Sequence, residues 1–97
     1  MHIDDILKSE THTILDVRSK EEFEQGHVEG AINIPVEEVV NEIERISQMP
    51  HPIVLCCESG RRSRQAHIYL SQHGIVNTFN GPTWLEIHDI KIKNNKA

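Results

Sequence analysis

The sequence predicts an α/β fold: a mainly parallel sheet with helices packed on both faces. Three observations point there. The 97 residues suit one folding unit spanning 1–97 rather than two. Short β-branched runs alternate with amphipathic, helix-like stretches, the pattern of a parallel sheet with crossover helices. One run, Pro52-Ile53-Val54-Leu55-Cys56, is apolar throughout, as a strand covered on both faces must be.

The elements follow in order. Ile3 to Lys8 is a short amphipathic helix, with Ile3, Ile6 and Leu7 on one side. Thr13 to Val17 is a buried strand. Ser19-Lys20-Glu21-Glu22 is a capping box that opens a short helix ended by Gly26. Ala31 to Ile34 is a second strand, closed by Pro35. Val36, Val39, Val40 and Ile43 mark the inner face of one helix running to about Gln48. Pro52 to Cys56 is the third strand. A helix starts near Arg62, with Ala66, Tyr69 and Leu70 inside and Gly74 as its stop. Val76 to Phe79 is a fourth strand. Gly81-Pro82 turns into a last short helix around Trp84, Leu85 and His88, and residues 91–97 form a frayed polar tail.

Charge narrows the function classes. A net charge of −5 speaks against a general nucleic-acid binder. Residues 1–50 hold twelve acids and four bases, a net −8; residues 51–97 hold three acids and six bases, a net +3. No apolar run reaches the roughly 20 residues of a membrane span. The N-terminus lacks a signal-peptide pattern, so a cytoplasmic location is expected. The two cysteines are adjacent and form no CxxC, and the seven histidines show no ligand spacing near them. Neither a disulfide framework nor a metal site is expected.

The chemistry concentrates in Cys57-Glu58-Ser59-Gly60-Arg61-Arg62-Ser63. A thiol at the end of a buried strand is followed by a small Gly-containing loop and a helix start. Backbone N–H groups in such a loop form an anion-binding nest, and the helix dipole adds positive potential. Arg61 and Arg62 add full charges against Glu58, a local surplus of +1. These effects favour thiolate over thiol and an anionic substrate over a neutral one. Neighbours on a strand point to opposite faces, so only one cysteine can enter the loop. Cys57 has Gly60 at +3 and Ser63 directly after Arg62; Cys56 then reads as a core residue. Counted from Cys56, the spacing to Arg62 is C-x5-R, and the alternative is a phosphatase or arsenate reductase using Cys56.

Wider motifs agree with the Cys57 register. Leu15-Asp16-Val17-Arg18, Glu22-Phe23 and Gly26-His27-Val28-Glu29-Gly30-Ala31-Ile32-Asn33-Ile34-Pro35 resemble the "DVR…EF…GHI.GA.NIP" stretch of the rhodanese-like family. The Cys57–Ser63 segment is similar to that family's "CxSGxRS" loop. Asn80-Gly81-Pro82-Thr83-Trp84 looks like its "GG…W" element, with Asn80 in place of the first glycine.

The resemblance implies a three-layer sandwich on a sheet of four to five strands. The family's first short strand is expected to be missing or rudimentary, since the Ile3 helix comes almost at once. It also implies a sulfurtransferase working without metal or organic cofactor. The residue matching the loop cysteine, Cys57, takes a sulfane sulfur from a small anionic donor such as thiosulfate. It passes that sulfur to cyanide in vitro, or to a thiol or protein acceptor. The positions Glu58, Ser59, Gly60, Arg61 and Arg62 form the cradle, and its six-residue length favours sulfur over phosphate. A non-enzymatic sulfur carrier that docks a partner through the acidic first half is the other reading.

Supporting roles are expected for Asp16, Arg18 and Ser63. Asp16 could orient the loop or a donor. The plainer reading pairs Arg18 with Glu22, or Asp16 with a loop amide. His27 reads as a hydrogen-bonded turn histidine, and Trp84 as a core residue that could also line the pocket mouth.

Overall fold

The computed structural model describes residues 2–95. Four strands form one all-parallel sheet in the order β2-β1-β3-β4. They are β1 (Thr13–Asp16), β2 (Ile32–Asn33), β3 (Ile53–Cys56) and β4 (Thr78–Asn80). β1 and β3 are central and buried along their whole length, which explains the unbroken apolar run of β3; β1 carries the buried polar residues Thr13 and Asp16 at its two ends.

Helices cover both faces. On one face, Leu15, Val17, Leu55 and Cys57 pack with Val39, Ile46, Ala66 and Leu70. Those come from a 3-10 helix (Val36–Asn41), α3 (Ile43–Ser47) and α4 (Arg61–Gln72). On the other face, Ile14, Val54 and Cys56 pack with Ile6, Leu7 and Ile87 of α1 (Ile3–Lys8) and α5 (Trp84–Asn95). Fully burying an aliphatic side chain such as Leu55 or Ile87 contributes about 1.5–3 kcal/mol each. The capping box forms at the start of α2 (Lys20–Gln25): Ser19 Oγ accepts from the Glu22 amide at 3.2 Å, and the Ser19 amide donates to Glu22 Oε1 at 3.0 Å.

Several elements differ from the sequence reading. The expected single helix from Val36 is two pieces, broken at Glu42 (φ −120°, ψ 19°). In a 3-10 turn residues i and i+3 eclipse, so Val36 and Val39 face α4 while Val40 turns outward and is 51% exposed. β4 starts two residues late, because Val76 follows the Gly74 turn into solvent. α4 starts one residue early, at Arg61. The expected frayed tail at 91–97 is instead the last turns of α5 as far as Asn95, tied down where Lys91 Nζ donates to the Glu29 carbonyl at 2.9 Å. Residues 96 and 97 lie outside the described residues. No helix among the described residues is long and apolar enough to cross a membrane.

Gly81 shows how tightly the sheet meets α5. A Cβ there would lie 2.9 Å from Val54 Cγ1 and 3.1 Å from the Leu55 carbonyl. Only glycine lets the chain leave β4 against β3 and begin the turn into α5.

Candidate active site

The site forms where β3 ends. Cys56 and Cys57 turn to opposite faces, Cys56 into the α1/α5 layer and Cys57 into the α3/α4 layer. Burial, reinforced by the neighbouring Asp16 carboxylate, pushes the Cys56 thiol well above its ordinary value. Cys56 thus lies in the core, away from the loop that a phosphatase or arsenate reductase using it would need it to enter.

Cys57 sits on the floor of the loop. Gly60, in the left-handed region at φ +87°, is the N-cap of α4 and turns the chain back over the sulfur. Its amide donates to Cys57 Sγ at 3.0 Å, and the Ser63 amide reaches the same sulfur at 3.4 Å. The Ser63 hydroxyl lies 3.5 Å away. Burial is the largest single influence on this thiol and opposes ionisation. The hydroxyl of Ser63 and the amides of Ser63, Ser59 and Gly60 together outweigh it, so Cys57 is held below the ordinary thiol value. Cys57 has no exposed surface.

The loop's charge differs from the sequence reading. Arg62 makes a bidentate ion pair with Glu22 of α2, at 2.6 and 2.9 Å. That pair holds the Glu22 carboxyl far below the carboxylate range and raises the guanidinium. Arg61 is exposed and makes no ion pair among the described residues, while Glu58 stands exposed beside it. The expected surplus of +1 is thus cancelled, and attraction for anions falls to Arg61, the amides and the α4 dipole. Ser59 is exposed at the crest of the loop, and Arg64 faces solvent.

Asp16 and Arg18 pair with each other rather than with the partners expected. Arg18 Nη2 and Nε reach Asp16 Oδ2 and Oδ1 at 2.8 and 3.0 Å, and both residues are buried. The glutamate expected for Arg18 is taken by Arg62, and Arg18 meets only its carbonyl, at 3.4 Å. Arg18 Nη2 also donates to the Gly26 carbonyl at 2.7 Å, and the guanidinium lies 4.4 Å over the Trp84 ring. This cluster ties the exit of β1 to the end of α2 and the start of α5. His27 is a turn histidine as expected, its Nδ1 2.7 Å from the Phe23 carbonyl, but it is stacked on Phe23 at the surface.

A cleft of about 260 Å³ opens beside the loop, lined by Arg18, Glu22, Gly26, Glu58, Trp84 and Leu85. It touches the loop at Glu58, next to Cys57. Trp84 lines this mouth as well as packing on the core. Two contributors escaped the sequence reading. Glu22 reads in the sequence as a cap and as a partner for Arg18, not as the partner of Arg62. Asn80, legible only as a replaced glycine, accepts a 2.7 Å hydrogen bond from Ser63.

Comparison with known proteins places this architecture. The thiosulfate sulfurtransferase PspE of Escherichia coli (strain K12) is 36% identical over 80 residues, covering 81% of this chain and 77% of the relative. A rhodanese with anions from E. coli superposes with a TM-score of 0.67 at 34% identity, over 75% of this chain and 87% of that one. The human single-domain sulfurtransferase TSTD1 superposes with a TM-score of 0.68 at 28% identity, over 84% and 88% of the two chains. Residues 2–81 match the model of the rhodanese-like domain. The chain therefore belongs to the rhodanese-like domain family.

Proposed function

We propose that this sulfurtransferase carries sulfane sulfur on Cys57 as a persulfide, in a reducing cytoplasmic setting. The Cys57 thiolate attacks the outer sulfur of a small anionic donor such as thiosulfate. The donor's S–S bond breaks and sulfite leaves with the electron pair. A thiol or protein acceptor, or cyanide in vitro, then attacks the outer persulfide sulfur and returns Cys57 as thiolate. Arg61 and the amides of Ser59 and Gly60 receive the donor's charge, and Glu58 borders the path from the cleft. Neither half-reaction calls for a metal or an organic cofactor.

The observation that carries this reading is the convergence of the Gly60 and Ser63 amides on one sulfur, at 3.0 and 3.4 Å, with the Ser63 hydroxyl accepting from the thiol at 3.5 Å and free to turn toward the thiolate. Those groups stabilise a thiolate and, after transfer, the anionic persulfide. Names of relatives such as PspE support thiosulfate as a donor. The kinetic test is turnover of thiosulfate and cyanide at varied concentrations of both. Parallel double-reciprocal lines, the mark of a covalent enzyme intermediate, are expected. Intersecting lines would speak for direct transfer between the two substrates.

A further inference from the structure

Ser63 has one hydroxyl proton and three acceptors around it. Asn80 Oδ1 lies at 2.7 Å, the Gly60 carbonyl at 3.1 Å and the Cys57 sulfur at 3.5 Å. Ser63 has no exposed surface, so these groups, not bulk water, decide where the proton points. The nearest acceptor is the Asn80 side chain. Asn80 is the last residue of β4, held opposite Leu55 in the sheet register, with the following Gly81 amide bonded to the Leu55 carbonyl at 2.9 Å. Its backbone is thus fixed by the sheet, and its side chain reaches Ser63 from there.

With Cys57 protonated, the groups form a chain: the thiol donates to Ser63 Oγ, and Ser63 donates to Asn80 Oδ1. Ionisation releases the thiol proton to solvent and leaves a sulfur that the Gly60 and Ser63 amides already reach and that can accept one donor more. The Ser63 hydroxyl becomes that third donor by swinging from Asn80 to the sulfur. An amide accommodates this, because a half-turn about its terminal bond presents Nδ2–H to the vacated Ser63 oxygen. A carboxylate in the same place has no donor and keeps the Ser63 proton.

We propose that Asn80 is a positioning residue for Cys57, setting the orientation of the Ser63 hydroxyl and, through it, the stability of the thiolate. This rests on Cys57 being the reacting sulfur. Other titratable and charged groups surround this site: on α4, His67 Nδ1 lies 2.7 Å from Thr78 Oγ1 of β4, and Arg64 faces solvent. Glu58 and Arg61 flank the sulfur in the loop, Arg62 is paired with Glu22 of α2, and Asp16 is paired with Arg18 beyond Cys56. Glu37 and Glu38 of the 3-10 helix are exposed, Glu86 at the start of α5 bonds Thr83, and β4 itself carries no titratable side chain.

The test is a pH titration of thiolate ultraviolet absorbance in the parent, Asn80→Asp, Ser63→Ala and the double variant, with circular dichroism as the fold control. Asn80→Asp keeps the shape of the exposed side chain. With Ser63 present it is expected to raise the Cys57 pKa by at least about one unit, roughly tenfold less thiolate below the pKa. In the Ser63→Ala background the same change is expected to move it by less than a third as much. Equal shifts in both backgrounds would mean that the new charge acts directly through space, and would overturn the proposal. So would no shift with Ser63 present. The readout is ionisation rather than sulfur transfer, so it stands apart from a failure of Cys57 to accept sulfur.

Discussion

Arg62 and Glu22 stand forty residues apart in the chain and meet in a bidentate ion pair, at 2.6 and 2.9 Å, that joins the helix after the loop to α2. The contact locks the loop's exit helix in place. It also removes from the loop one of the two charges that would otherwise attract an anion.

Glu22→Gln separates these effects, because glutamine keeps an oxygen for the Ser19 cap but loses the charge. Both partners are about one-third exposed, so the stability loss is about 0.5–1 kcal/mol by urea denaturation at neutral pH. The freed Arg62 charge lowers the KM for thiosulfate roughly two- to five-fold, as expected for one partly screened charge near the loop. The pH dependence has a definite sign. Glu22 is depressed in the folded state from its ordinary value of 4.5. Its contribution is complete above that value and declines as pH falls below it. Glu22→Gln therefore narrows its stability gap to the parent on acidification.

The Asp16–Arg18 pair predicts a larger loss. Both side chains are buried, and Arg18 reaches Gly26 and Trp84 as well. Arg18→Ala leaves the Asp16 charge buried and unpaired, costing about 3–5 kcal/mol in a denaturant titration. Arg18→Lys recovers only part of this, because an ammonium cannot bridge both carboxylate oxygens and stack on the indole.

Ser63→Ala should act on chemistry more than on stability. It removes one of the donors that hold Cys57 below the ordinary thiol value. The pH profile of sulfur loading rises to its plateau at the Cys57 pKa. In the variant this rise moves to higher pH, so loading at a pH below both pKa values slows by roughly three- to tenfold. An unchanged profile would show that the amides of Gly60 and Ser63 suffice alone.

The features legible in the sequence are the local ones. The Ser19–Glu22 cap, the opposed directions of Cys56 and Cys57, and the loop from Cys57 to Arg62 each depend on spacing within a few residues. The central strand β3 was legible because burial on both faces leaves it apolar throughout, and β1 because its apolar Ile14-Leu15 run continues into Val17. Partner choice was not legible. Glu22 already had a use as a cap, and nothing near it in sequence points to Arg62. Asp16 and Arg18 find each other because both are buried at the exit of β1, a fact of packing. The helix from Val36 looked continuous because 3-10 and α periods hardly differ over six residues. α5 looked short because its last turns are polar, although they are anchored through Lys91 to Glu29. Asn80 showed only as a missing glycine, since its partner Ser63 comes from another element.

The most direct test of the central claim is intact mass after incubation with thiosulfate and removal of excess reagent. A gain of one sulfur, about 32 Da, is expected in the parent and in Cys56→Ser, with reversal by a small thiol. Cys57→Ser should show no gain. Sulfur retained by Cys57→Ser, or lost only in Cys56→Ser, would contradict the assignment of Cys57 as the carrier.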